Sequence, residues 1–315
     1  MSRTYFLEPN EQTLKGKFSK DFTPCLQIAS GDTVRARTLD AGWGLERRPA
    51  PGAPRKRFDT TEEIYRGHSM IGPIFIEGAR PGMTLEVQIK EVMPGDHGWT
   101  SAGGFHSYWN QRLNLVEETE HHLDWELDRE RMVARSMFGN FDQEIALKPF
   151  LGIMGMAPDE PGLHSTVPPR FCGGNLDCKE LVPGSTLYLP IAVEGGYFFF
   201  GDGHAVQGDG EVAGPALECP MERVELTLTV REDLSGLKMP RAKTPAGWVT
   251  LGLHEDLDEA MWLALEGMLD LMQELYGMKR TEAYALASLV VDMRVTQVVN
   301  QTKGVHAVLP YGAVK

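Results

Sequence analysis

The sequence predicts a mainly β protein: a large β-rich body over residues 1–235, followed by a smaller α+β unit over residues 236–315. Three observations carry this reading. Segments such as Leu85–Val92 and Val224–Val230 alternate apolar with polar residues between Gly- and Pro-rich turns, and a period of two marks a half-buried strand. Continuous apolar runs, Pro149–Pro158 and Tyr197–Phe200, suit strands buried on both faces. After about Ser235 the spacing becomes helical, with apolar residues at Met261, Leu265, Met268, Met272 and Leu275.

Taken in order, Pro24–Ala29 and Thr33–Thr38 flank the turn Ser30-Gly31-Asp32 and read as a hairpin or connected pair. Residues Leu45–Asp59, rich in Pro, Gly and Arg, read as a loop or mobile flap. Ile74–Ile76 and Leu85–Val92 are strands joined through Pro81-Gly82, with His68 on the loop before them. Gly95–Phe105 reads as a Gly/aromatic loop. In Val116–Arg135, Leu123, Trp125 and Leu127 alternate with charged residues, which favours a β-hairpin over a helix. Gly152 and Gly155 interrupt the apolar run Pro149–Pro158, leaving room for another backbone to pack closely. Leu187–Val193 and Tyr197–Phe200 read as a strand pair across Glu194-Gly195-Gly196. Trp248–Leu253 is a strand. Asp256 caps a helix that Gly277 ends, Thr281 caps a second over Glu282–Asp292, and Val295–Val299 and Val305–Leu309 close the chain as two strands.

Composition narrows the function classes. The 315 residues are 42% hydrophobic and 24% charged, ordinary for a soluble chain. No run of about 18 apolar residues suggests a membrane span, and the N-terminal stretch lacks a signal-peptide core. The net charge is −13, and the basic residues Arg47, Arg48, Arg55, Lys56 and Arg57 are broken up by prolines, which argues against nucleic-acid binding. Four cysteines, without CxxC spacing, read as reduced thiols of a cytoplasmic protein.

The densest polar cluster is GDGHAVQGDGE, Gly201–Glu211, directly after the apolar run Tyr197–Phe200. Asp202 and His204, two apart, share a face of an extended chain. Gln207, Asp209 and Glu211 share one if the chain resumes as a strand. An imidazole among carboxylates at a core rim is a half-site for a metal or a general base, although single acids in Gly-rich loops also serve as turn formers.

In order along the chain, IGPIFIEGARPGMTLEVQI, PFLGIMGMAP, GGNLDC, GSTLYLPI, GDGHAVQGDGE and DMRVTQVVNQTKGVHAVLP resemble the acetamidase/formamidase family. The resemblance spans about Gly67 to Pro310; the segment Val116–Ser136 and the loop Leu45–Arg57 match none of its blocks. It implies a jelly-roll-like β-sandwich body with a smaller α+β part, hydrolysis of a small neutral amide to carboxylic acid and ammonia, a homo-oligomer, and a divalent metal, zinc or calcium.

Amide hydrolysis requires a nucleophile, oxyanion stabilisation and a proton for the departing amine. A metal supplies the first two. Asp177, Asp202 and His204 are the expected ligand set, with His68 as an outside addition. Glu211, or Glu218 after it, is the expected proton carrier. Asn175 or a backbone N–H of Gly173 or Gly174 is the expected oxyanion donor, and His68 and Gln207 are expected at the substrate. Two other readings stand beside this one: a thiol nucleophile at Cys172 or Cys178, and a non-catalytic β-sandwich that binds calcium or a small ligand through the same acids.

Overall fold

The computed structural model describes residues 2–139 and 142–315. One sheet has nine strands, in the order Thr4–Leu7, Asp32–Thr38, Met221–Arg231, Thr84–Pro94, Thr186–Pro190, Arg241–Thr244, Gly247–His254, Lys303–Leu309 and Asp292–Gln297. The other is built around Phe198–Val206, whose nine residues are nearly all buried. Phe150–Met156 runs antiparallel along one edge of that strand. Met70–Ile76 and Leu217–Glu218 share its other edge, one along each half. Beyond Leu217–Glu218 the sheet continues through His97–Ala102, His121–Asp128, Val133–Ser136 and Ile145–Ala146. Side chains of both sheets, Leu85 and Val87 from one and Ile74 and Phe200 from the other, meet in one apolar core, the layered arrangement that a mainly β chain requires.

The expected boundary near residue 235 falls between two strands of the nine-stranded sheet. The last four strands extend that sheet, and the helices Leu257–Tyr276 and Arg280–Val290 cover its end. Asp256 caps the first helix by accepting from the Asp258 and Glu259 amides at 2.8 and 3.2 Å, and Gly277 ends it at φ 66°. The second helix starts at Arg280, with Lys279 as its cap, so Thr281 lies inside it.

The hairpin of His121–Asp128 with Val133–Ser136 is present. Three local expectations need correction. Gly95–Phe105 contains the strand His97–Ala102, paired with both neighbours. Leu26–Ile28 and Asp32–Thr38 are not a hairpin but belong to different sheets; Asp32 accepts from the Ala29 and Arg3 amides and redirects the chain. Thr186–Pro190 and Phe198–Val206 likewise cross between sheets, with Gly195 and Gly196 at positive φ in the link. Alternation identifies strands but not partners. The loop Leu45–Asp59 is anchored rather than free: Arg55 grips the buried Asp40 carboxylate at 2.6 and 2.8 Å, and Arg48 reaches Asp124 at 3.2 Å.

Candidate active site

Phe198–Val206 carries Asp202 and His204 to one side of the sheet, as their spacing requires. Imidazole Nε2 lies 3.5 Å from Asp202 Oδ1 and 3.4 Å from Glu218 Oε1. Glu218 arrives because Leu217–Glu218 pairs with the same strand, setting Glu218 opposite His204. On the other side of the ring Nδ1 lies 3.0 Å from Gln207 Oε1 and 3.9 Å from Asp177 Oδ1. Gln207 donates its Nε2 to the Asp177 carbonyl at 2.8 Å. That bond fixes the amide so that its oxygen faces the ring, and Nδ1 must then be the protonated nitrogen. Nε2 is left directed at Asp202 and Glu218.

Past Val206 the chain does not resume as a strand, because Gly208, Gly210 and a left-handed Glu211 coil it. The expected common face of Gln207, Asp209 and Glu211 is therefore broken. Gln207 and Glu211 turn inward, whereas Asp209 turns away to Lys179 Nζ at 3.0 Å. Glu211 meets Asp177, with ligand atoms of the two acids and His204 all within 4.8 Å of one another. Asp177, Asp202 and Glu211 hold φ values of 47°, 56° and 46°. That region is uncommon for residues with a side chain, and such strain concentrates at functional sites.

Four carboxyl groups and one imidazole are thus buried together, none of them more than 6% exposed. A single imidazolium cannot balance four carboxylates. Burial and the adjacent Asp177 charge push Glu211 well above the ordinary carboxylate range, and burial raises Asp177 to about 7. Two carboxyls this close share a proton. Burial pushes His204 down, but Glu218 and Asp202 more than reverse it, and its net pKa lies well above that of a free imidazole. Asp202 is pulled low, since His204 and His68 outweigh its burial. Three carboxylate oxygens, Asp202 Oδ1, Glu211 Oε2 and Glu218 Oε2, are buried without a hydrogen-bond partner.

Other expected residues divide. Asn175 lies in the cluster; turning its amide so that both ends find partners brings the nitrogen to 3.1 Å from Asp177 Oδ1 and from Asp202 Oδ2 and the oxygen to 3.1 Å from Asn300 Nδ2, an orientation in which it serves the carboxylates. The Gly173 N–H donates to the Arg170 carbonyl at 2.9 Å and is not free for an oxyanion. Gly173 and Gly174 instead let this strand approach Gly155, where a Cβ would lie 2.0 Å from Gly174 N. His68 is half-buried, bonded to Thr166 Oγ1 at 2.9 Å, and its field acts on Asp177, Asp202 and Glu218. Cys172 and Cys178 are fully buried, and burial pushes their thiols up to about 11 and about 12. Neither is an activated nucleophile.

Asn300 escapes a reading of the sequence, and Gly152 takes a role that such a reading does not assign to it. Asn300 donates to Asp177 Oδ2 from 123 residues away, held in a turn in which Gln297 Oε1 accepts the Val299 and Asn300 amides. Gly152 forms the floor: a Cβ there would lie 2.6 Å from both Asp177 Oδ1 and Asp202 Oδ2 and 2.8 Å from His204 Cε1. Its glycine does provide room, as expected, but for carboxylates rather than for a backbone.

A family model described as Acetamidase/Formamidase family matches residues 3–165 and 162–313. A relative from Schizosaccharomyces pombe, provisionally named a formamidase, is 25% identical over 255 residues, or 65% of this chain; the chain spans 60% of that relative's length. Over 47 residues, 15% of this chain and 12% of the relative, the identity to a formamidase of Methylophilus methylotrophus is 53%. A crystal structure described as a predicted acetamidase/formamidase from Thermoanaerobacter tengcongensis superposes with a TM-score of 0.83 at 27% identity, covering 98% of this chain and 96% of that one. With nearly its whole length matched in this way, the chain belongs to the acetamidase/formamidase family.

Proposed function

We propose that the protein hydrolyses a small neutral amide to a carboxylic acid and ammonia with a divalent cation at Asp202, His204 and Glu218. The orphaned buried oxygens carry this reading. Asp202 Oδ1 and Glu218 Oε2 accept no hydrogen bond, and His204 Nε2 faces both acids without bonding either closely. A buried polar atom without a hydrogen bond costs about 1–3 kcal/mol, more when charged, and a cation removes that cost for both acids at once. Asp177 is less suited to the ligand set than the sequence suggests, because Asn300, Asn175 and the Glu211 carboxyl already satisfy it. Glu218 replaces it. One imidazole with two carboxylates suits zinc, whereas calcium prefers six to eight oxygens.

A bound cation there supplies Lewis acidity, polarising a carbonyl and acidifying water. The residues around it do the rest. Gln207 holds the His204 ring in one orientation. Asn300, with Asn175 beside it, holds the Asp177 carboxyl in place. The Asp177–Glu211 pair holds one proton between two carboxyls, and Glu211 is its member at the cavity wall. Such a pair can accept a proton from attacking water and return it to the departing nitrogen.

Ammonia release from formamide, acetamide and propionamide, measured before and after chelation and after return of zinc, tests this. Turnover lost on chelation and restored by zinc is expected. Turnover indifferent to a chelator that strips the metal rejects the cation, and cation binding with no ammonia from any amide favours the non-catalytic reading.

A further inference from the structure

A cavity of about 310 Å³ lies against the cluster. Gln207, Asp209 and Glu211 line it beside the cluster, and Thr100 is a further polar side chain of its lining. The rest of its wall is largely apolar, with Trp125, Ile145, Val206, Ala213 and Leu217 prominent. Among the buried acids of the cluster, Glu211 is the most exposed, at 6%, so the cavity reaches the site at its proton carrier. A glycine behind the wall sets where Leu217 sits. Gly98 lies opposite Trp125 in the sheet, where a Cβ would strike Leu217 Cδ2 at 2.5 Å. Trp125 comes from the hairpin segment Val116–Ser136, which none of the quoted family blocks covers, and Ile145 from the edge strand beyond it.

We propose that this cavity is the acyl pocket, and that the amide it takes carries a branched or cyclic apolar acyl group rather than formyl or acetyl. The proposal rests on the amide-hydrolase reading above. A carboxamide is polar at one end only, as the cavity is. With its amide group at Glu211 and Gln207, its acyl group would lie between Trp125, Ile145 and Leu217. At roughly 30 Å³ per water the cavity could hold about ten waters, and an amide the size of acetamide would leave most of them facing apolar walls. An isovaleryl or phenyl group would displace them, and each methylene moved out of water is worth about fourfold in kcat/KM when the gain is kept in the transition state. Trp125 and Ile145 would therefore set specificity from a segment that takes no part in the chemistry.

The test is a kcat/KM series over formamide, acetamide, propionamide, isobutyramide, isovaleramide and benzamide, with isothermal titration of isovalerate and acetate. The expected result is a rise of about fourfold per methylene up to isovaleramide. Ile145→Trp, which fills the cavity from a partly exposed edge strand, should lower the isovaleramide-to-acetamide ratio by more than tenfold. Acetamide turned over with kcat/KM flat or falling along the series would overturn the acyl pocket and leave amide hydrolysis standing. If no amide reacts, hydrolysis falls, and titration decides the pocket. Isovalerate binding tighter than acetate, and lost in Ile145→Trp, keeps it. Equal or no binding removes it.

Discussion

His204 and His306 are both buried, at 1% and 0% exposure, and each bonds through Nδ1 to a neutral side chain, Gln207 at 3.0 Å and Thr296 at 2.8 Å. Their chemistry is opposite. Burial drives the His306 imidazole down to about 4, and the Asp209 and Glu180 charges are too weak to reverse this. The same penalty acts on His204, but Glu218 and Asp202 lie within 3.5 Å and override it. Burial alone therefore says nothing about whether an imidazole is part of a site. What distinguishes them is the number of carboxylates within reach, and that is set by strand pairing.

The sharpest break of this contrast is at Glu211, the proposed proton carrier. Glu211→Gln preserves shape and removes proton transfer, so turnover should fall about 10²–10⁴-fold while bound metal, read by elemental analysis, stays unchanged. Metal lost together with activity would place Glu211 among the ligands. The same variant relieves a buried carboxyl pair and should melt no lower than the parent. Next, His204→Ala should abolish stoichiometric metal, whereas His306→Ala should keep metal and lose only stability. Metal retained in His204→Ala refutes its role as a ligand.

Two glycines on one strand offer a finer version. Gly152→Ala pushes a methyl into Asp177, Asp202 and His204 and should weaken metal affinity and turnover more than it lowers the melting temperature. Gly155→Ala meets the Gly174 backbone instead and should cost about 1–3 kcal/mol of stability, as overpacking does. Equal effects at both positions would mean that the floor of the site is not special.

The contrast at His306 also shows as a slope. His306 has a folded-state pKa of about 4, below an unfolded value of about 6.5. Its contribution is therefore fully present above pH 6.5 and is lost as pH falls toward 4, because the unfolded chain binds the extra proton. The loss amounts to about 3 kcal/mol. Urea midpoints measured between pH 7 and 4 should fall less steeply in His306→Gln than in the parent; identical slopes would show that His306 does not titrate on unfolding.

The period-two spacing of Asp202 and His204 was readable without a structure, because a strand fixes which side chains share a face. Glu211 and Asp177 were readable as acids beside glycines, and the segment Leu123–Leu127 as a strand. Partners were not. Nothing local tells Glu218 that its strand will lie beside His204, or Asn300 that its turn will reach Asp177. The same limit explains the two strand pairs that do not form: a short link with glycines can fold back within a sheet or cross to the other one, and Asp32 decides one case through bonds to Ala29 nearby and to the distant Arg3.

The bond from Asn300 to Asp177 also has a meaning in time. A ribosome adds roughly 5–20 residues per second, so the 123 residues between these partners take some six to twenty-five seconds to emerge. For that interval the turn bearing Asp177 lacks the last amide that steadies it, while the strands bearing Asp202, His204 and Glu218 emerge beside it. The acids must then stay wet, protonated or bound to a cation until the turn at Asn300 closes over them.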